Sequence, residues 1–502
     1  MEKLRWTDPR IALGLFCAAF FVFFSNGQIL VGNDARPNAY VAVSLLTEGD
    51  LVISPLEAPF MFYWQADGPD ARVGFSIPAW DAHPAGSQAT YGDYAVAGRL
   101  KFVGPKYYLV PTQRNRPETG EPLYASTFGF AAGVVAVPAL AVARALGADL
   151  RRDHAAIWVA AKASASLLVA GSVALVYLSV AGFTSRRRAL LLAAAYAFGT
   201  CVWALSSQTL WQQTPALFFL ALATLCVLRG ESAWIRGAAA GLAYSAAIAC
   251  RPTGALVALT AAAYLFLSDR RSFIAGVLAA IPIIALLLAY NLYYFGSAWE
   301  FGQLAAAAKA AEEKTGSPGL WQTPLWLGAA GNLLSPSRGL LVHSPFLAAA
   351  FAGAVLAWRK PEYVRLRFLT IAVPALWLPA FAWFDWWGGW SYGYRPIVDS
   401  MPLLAVLCVP ALDWIMDRPV WRAAFIASIA WSVLVQIVGA FAYNFHGWNA
   451  GPEAAADVDR PANRHRLWSF RDWQIAYFLV NFKEAHAERQ VTSARWMSDP
   501  TW

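Results

Sequence analysis

The chain has 502 residues, of which 58% are hydrophobic, 15% aromatic and only 14% charged, with a net charge of +8. That balance excludes an ordinary soluble domain, and because the basic residues sit in short clusters between apolar runs, the positive charge reports membrane orientation and not nucleic-acid binding. The five cysteines, Cys17, Cys201, Cys226, Cys250 and Cys408, all lie inside apolar segments, so neither a disulfide framework nor a metal site is expected.

In chain order, the apolar runs that suit a bilayer of about 30 Å are Ile11 to Val31, Ala155 to Ala181, Ala189 to Leu205, Leu210 to Leu228, Gly237 to Cys250 and Ala255 to Leu267. Phe273 to Phe295, Gly339 to Ala357, Phe368 to Phe384, Met401 to Ile415 and Trp421 to Phe441 follow. The first has no small-residue cleavage site behind it and reads as a retained anchor. Lys and Arg cluster at 3–10, 186–188, 229–236, 270–271, 359–367 and 418–422, in every second loop, which places those loops in the cytoplasm.

The alternation holds only if the apolar stretch 123–147, interrupted by Pro138, stays on one side as a re-entrant or surface helix. The alternative is a plain transmembrane helix with one cluster breaking the charge rule. The expected fold is an all-α polytopic membrane protein with about eleven transmembrane helices. Its membrane domain covers 1–441, including a first outer loop at 32–122, and an outward tail with an interfacial helix covers 442–502. The short cytoplasmic loops hold no glycine-rich phosphate cradle, so the chemistry is expected outside and without nucleotide.

Asp34 lies just beyond the first span, ahead of mixed apolar spacing over 37–46 that predicts a short surface helix broken at Gly49. A carboxylate there suits a general base for a hydroxyl, or simply caps the helix. Further on, YGDYAVAGRLKFVGPKYYLVP alternates like a hairpin turning at Gly104-Pro105, with Lys101 and Lys106 outward, as a flap or a plain ribbon. Arg251, Arg338 and Arg395 all stand near the outer interface, where a guanidinium grips phosphate, snorkels, or pairs with Asp385 or Asp399. The Trp383, Trp386, Trp387 and Trp390 cluster suits sugar stacking or an interfacial belt, and Trp448, Trp468 and Trp473 read as tail anchors on the headgroups.

Five motifs in this order carry a family resemblance. They are Asp34 leading into a helix that closes on Glu48-Gly49-Asp50, and Pro122-Leu123-Tyr124 ahead of a span bearing Lys162. Then come Gly241 to Arg251-Pro252, LLSPSRGLLVHSP with Arg338 and His343, and WWGGWSYGYRP with Trp390, Tyr392 and Arg395. Together they resemble the GT-C membrane glycosyltransferases, in the branch of protein O-mannosyltransferases and lipid A aminoarabinose transferase. The chain departs from that pattern at Ala35, where an acidic residue is usual, and at Gly120-Glu121-Pro122, where Lys-Pro-Pro is usual.

The resemblance implies inverting transfer of a sugar from a polyprenyl-phosphate donor to a glycolipid, polysaccharide or protein acceptor. The reaction would take place at the outer face of a bacterial plasma membrane and need no cofactor. It implies Asp34 as base, Arg338, Arg395, Arg251 and Lys162 toward the donor phosphate, and Glu48, Asp50, Lys106, Tyr124, His343, Trp390 and Tyr392 around the substrates. A transporter or flippase of a lipid-linked or small polar substrate is the alternative, and a non-catalytic assembly partner a third class. The enzyme reading requires Asp34 and the guanidinium groups to meet at one hollow.

Overall fold

The computed structural model describes residues 9–55, 58–66, 88–105, 108–117, 120, 122–229, 232–451 and 455–498. Helices dominate, and each of the expected apolar runs holds helix. The first half contains α1 (Pro9–Phe24), α2 (Arg36–Thr47), the short α3 (Tyr91–Val96), α4 (Ala131–Val134), α5 (Val137–Ala145), α6 (His154–Ala181), α7 (Arg186–Gly199), α8 (Gln213–Leu228) and α9 (Ala233–Cys250). The second half contains α10 (Gly254–Ser268), α11 (Arg270–Phe295), α12 (Gly302–Thr315), α13 (Leu325–Leu334), α14 (Leu340–His343), α15 (Ala348–Arg359), α16 (Arg367–Ala382), α17 (Met401–Leu407), α18 (Val409–Met416), α19 (Pro419–Phe441), α20 (Gly447–Ala450), α21 (Gln474–Val480) and α22 (Phe482–Ser498).

Four helical stretches, His154–Ala181, Arg270–Phe295, Pro361–Ala382 and Pro419–Phe441, are long and apolar enough to cross a bilayer alone, and the bent pair Arg395–Leu407 and Val409–Met416 makes a fifth. Small residues let neighbours close up: a Cβ on Gly241 of α9 would stand 2.0 Å from the carbonyl of Gly276 on α11, and one on Gly237 2.1 Å from that of Ser272. Such backbone approach is how helices associate where lipid removes the hydrophobic drive. Gly241, singled out above at the head of the Arg251-Pro252 segment, therefore serves packing.

The basic loops meet at one end. Arg188 pairs with Asp413 and Asp417, Arg236 with Asp269, and Arg365 donates to the Leu228 carbonyl. The other end carries the loops, the strands and the tail.

Three expectations change. The predicted hairpin is not one: Tyr91–Val96 is helix, and the two alternating runs pair with other partners. Strand β1 (Phe62–Ala66) pairs antiparallel with β2 (Leu100–Pro105), and β3 (Leu109–Asn115) with β4 (Pro122–Ser126). Phe62 packs on Phe102 and Tyr124 at ring distances of 5.6 and 5.0 Å, so burial of aromatic faces decides the pairing. Lys106 lies outside the described residues. The stretch 123–147 is not one helix, since its start is β4 and Gly129 and Pro138 divide the rest into α4 and α5. Nor does the tail simply lie on headgroups, because Trp448 is buried with Arg338 and Arg466 against its ring, 5.5 and 4.5 Å from the centroid.

Candidate active site

Helix α1 stops at Phe24 and extended chain carries on to a turn at 33–35 before α2. Gly32 sets the approach: a Cβ there would fall 2.3 Å from Trp211 Cη2. Trp211 lies in turn under Arg395, whose guanidinium stands 4.7 Å from the ring centroid. Arg395 Nη1 donates to Asp34 Oδ2 at 2.7 Å. Helix α2 is capped by Ala35 without a side-chain hydrogen bond, so Asp34 is not its cap. No hydrogen bond reaches Asp34 Oδ1 among the described residues.

This pair forms part of the wall of a cavity of about 780 Å³. Arg36 and Arg251 line the same cavity, and Arg251 is anchored on Asp399 at 2.5 Å and on the Pro396 carbonyl at 3.1 Å. Three guanidinium groups thus face one hollow beside Asp34. Much of the remaining lining is aromatic, including Tyr108, Phe128, Trp211, Trp383, Phe384 and Trp390.

A second charged group comes from three distant segments. Lys314, near the end of α12, bonds Asp385 at 2.7 Å and Asp459 of the tail at 2.9 Å. Asp385 also accepts from the Gly389 amide and Asp459 from Trp387 Nε1, both at 2.8 Å. Burial lowers the Lys314 ammonium's proton affinity, but the two carboxylates outweigh it and hold the pKa above the ordinary lysine value. Burial raises Asp385, and the Lys314 charge and hydrogen bond overcome that and leave it below its usual value. Asp459 is held above its ordinary value because burial and the charge of Asp385 together exceed what Lys314 offsets.

The other residues singled out from the sequence lie elsewhere. Arg338 is buried and does not line the cavity, since its nitrogens donate to Trp387, Ser337 and Gly389 carbonyls and to the side chains of Gln474 and Asn449. Lys162 is buried on α6 and donates to Asn26 and the Gln28 carbonyl. Glu48 pairs with Arg151, and Asp50 takes the Ser44 hydroxyl at 2.6 Å. Tyr124 packs in the strand layer, His343 is buried with Nδ1 3.0 Å from the Gly339 carbonyl, and Tyr392 donates to the Val435 carbonyl at 2.7 Å. Trp390 does line the cavity, its Nε1 tied to Asp457 at 2.8 Å. Of the sequence-selected residues, the cavity therefore gathers Asp34, Arg251, Arg395, Trp383 and Trp390. The sequence reading did not single out Arg36, Lys314 or Asp459, and mentioned Asp385 only as an ion-pair partner.

No family model matches the chain, and no curated protein is significantly similar to it. Its structure is similar to the crystal structure of ArnT from Cupriavidus metallidurans bound to undecaprenyl phosphate, with a TM-score of 0.49 and 11% sequence identity over 96% of this chain and 76% of that one. At that score and identity the likeness decides neither substrate nor reaction.

Proposed function

We propose that the protein is an inverting glycosyltransferase that moves a sugar from a polyprenyl-phosphate donor to an acceptor hydroxyl. The single observation that supports it most is the Asp34–Arg395 pair, 2.7 Å apart, in the wall of a cavity that Arg36 and Arg251 also line. A carboxylate with one unengaged oxygen beside a concentration of guanidinium groups suits a reaction in which a hydroxyl arrives as a phosphate leaves.

In that reading the acceptor oxygen attacks the anomeric carbon and its proton passes to Asp34 Oδ1. The bond from the anomeric carbon to the phosphate oxygen breaks, and its electron pair stays on the phosphate. Arg395 and Arg251 carry the added charge, their planar forks matching phosphate oxygens. An in-line approach inverts the anomeric centre, and no nucleotide is needed.

The distribution of basic residues supports the outer side. The cavity-lining residues come from loops and helix ends that the basic-cluster rule assigns to the outer face, from Asp34 through Arg251 and Asp385 to Asp459. Donor and acceptor would therefore meet outside a bacterial plasma membrane, the acceptor being a glycolipid, a polysaccharide or a protein.

Reconstituted in proteoliposomes with a polyprenyl-phosphate sugar, the wild type should transfer the sugar, and Asp34→Asn should lose at least about a hundredfold, the usual weight of a general base. Normal transfer by that variant would remove Asp34 from the chemistry. A transporter or an assembly partner would keep its activity through the same change.

A further inference from the structure

The cavity has two chemically different regions. Around Asp34 it is cationic, whereas around Lys314 the described lining residues set one ammonium among Asp385, Asp459 and Glu313, with Arg464 behind the wall on the Lys314 and Asp459 carbonyls. Three lining carboxylates around one lining ammonium offer a ligand more acceptors than donors, which suits neutral hydroxyls better than a phosphate. Glu313 is exposed and lines the cavity, and no hydrogen bond or ion pair engages it among the described residues.

Trp321 and Trp383 meet edge to face at 5.2 Å and 71°, both line the cavity, and Trp321 is exposed. Between Leu304 and Glu313, α12 lines the cavity with the small side chains of Ala306, Ala307 and Ala310, and the loop after Asp385 lines it with Gly388 and Gly389. The region thus combines flat apolar faces, carboxylate acceptors, an ammonium donor and room.

We propose that this region is a saccharide subsite, resting on the glycosyl-transfer reading and extending it to the residues that hold a sugar ring. A pyranose has an apolar C–H face that stacks on Trp383 or Trp321. Its hydroxyls each both donate and accept, which suits Glu313, Asp385 and Asp459 alternating with Lys314. A phosphate can satisfy only the cation, and a purely apolar tail only the rings. The ring bound here belongs to the acceptor or to the donor's sugar, and both have the same chemistry.

The test is saturation-transfer NMR on the full chain in nanodiscs, with millimolar methyl glycosides of glucose, galactose, mannose and N-acetylglucosamine as probes. At least one should receive saturation from the wild type. Trp383→Ala and Glu313→Gln should each weaken it about tenfold, the scale of a lost charged hydrogen bond or aromatic contact, while Trp383→Phe should restore it. No signal for any glycoside, or equal signals from all variants, overturns the subsite. Asp34→Asn should retain the signal while losing transfer. Active transfer by that variant would sink the mechanism and leave the subsite standing. In the transfer assay, the KM that rises in Glu313→Gln, acceptor or donor, identifies which sugar sits there.

Discussion

Replacing Arg338 by Gln separates a brace from a phosphate ligand. The guanidinium donates to the Trp387, Ser337 and Gly389 carbonyls at 3.1, 3.0 and 3.3 Å, and to Gln474 and Asn449 at 2.6 and 2.9 Å. Apart from its neighbour Ser337, those acceptors belong to the loop that carries Arg395 and to the tail, so Arg338 ties the two together from behind the cavity. Gln reaches at most a couple of them. Each abandoned buried acceptor costs about 1–3 kcal/mol, and the total should come to about 3–5 kcal/mol. Unfolding followed by tryptophan fluorescence in detergent should show the midpoint falling by at least about 3 °C. Transfer should decline through kcat as the loop loosens, without a selective rise in donor KM. An unchanged midpoint together with a donor KM raised tenfold would refute the reasoning and return Arg338 to the phosphate.

Gly32→Ala should push Trp211 from beneath Arg395, because the new Cβ would stand 2.3 Å from the ring. Losing that cation–π contact, worth about 0.5–2 kcal/mol, should raise donor KM several-fold with little change in the unfolding midpoint. Asp385 and Asp459 should respond to pH in opposite senses. Asp385 is held below its ordinary pKa, so it contributes stability above that value and loses it as pH falls through the folded pKa. Asp385→Asn should therefore be least stable relative to wild type near neutrality, and the deficit should shrink on acidification. Asp459 is held above its ordinary pKa, so its charged form opposes folding, and Asp459→Asn should gain on wild type as pH rises through that pKa. Midpoints measured from pH 4 to 8 check both, and parallel profiles for the two variants would contradict the assignment.

The helices and the site differ in how much the sequence reveals of them. Apolar runs mark the helices, and the helix after Asp34 falls at Arg36–Thr47, close to its predicted extent because Gly49 takes a positive φ of 80° just past its end, but Arg36 to Ser44 are buried in the protein and do not lie on a surface as expected. The Asp34–Arg395 meeting was legible only as an expectation of shared location, since 361 positions separate the partners. Strand pairing was misread because alternation marks a strand without naming its partner: β1 lies some forty residues ahead of β2, and aromatic packing between them decides. Lys314, Asp385 and Asp459 sit on three segments, and nothing local to any of them announces the others. Arg338 looked interfacial in SPSRG because its acceptors arrive from the 387–389 loop and from a tail not expected to fold inward. Long-range burial of charge leaves no local periodic trace.

The measurement that reaches the central claim most directly is an experimental structure of the protein with polyprenyl phosphate bound. The phosphate should lie within hydrogen-bond reach of Arg395 and Arg251 in the cavity beside Asp34. Phosphate density on another surface, with that cavity vacant and the lipid tail directed away from it, would contradict the account.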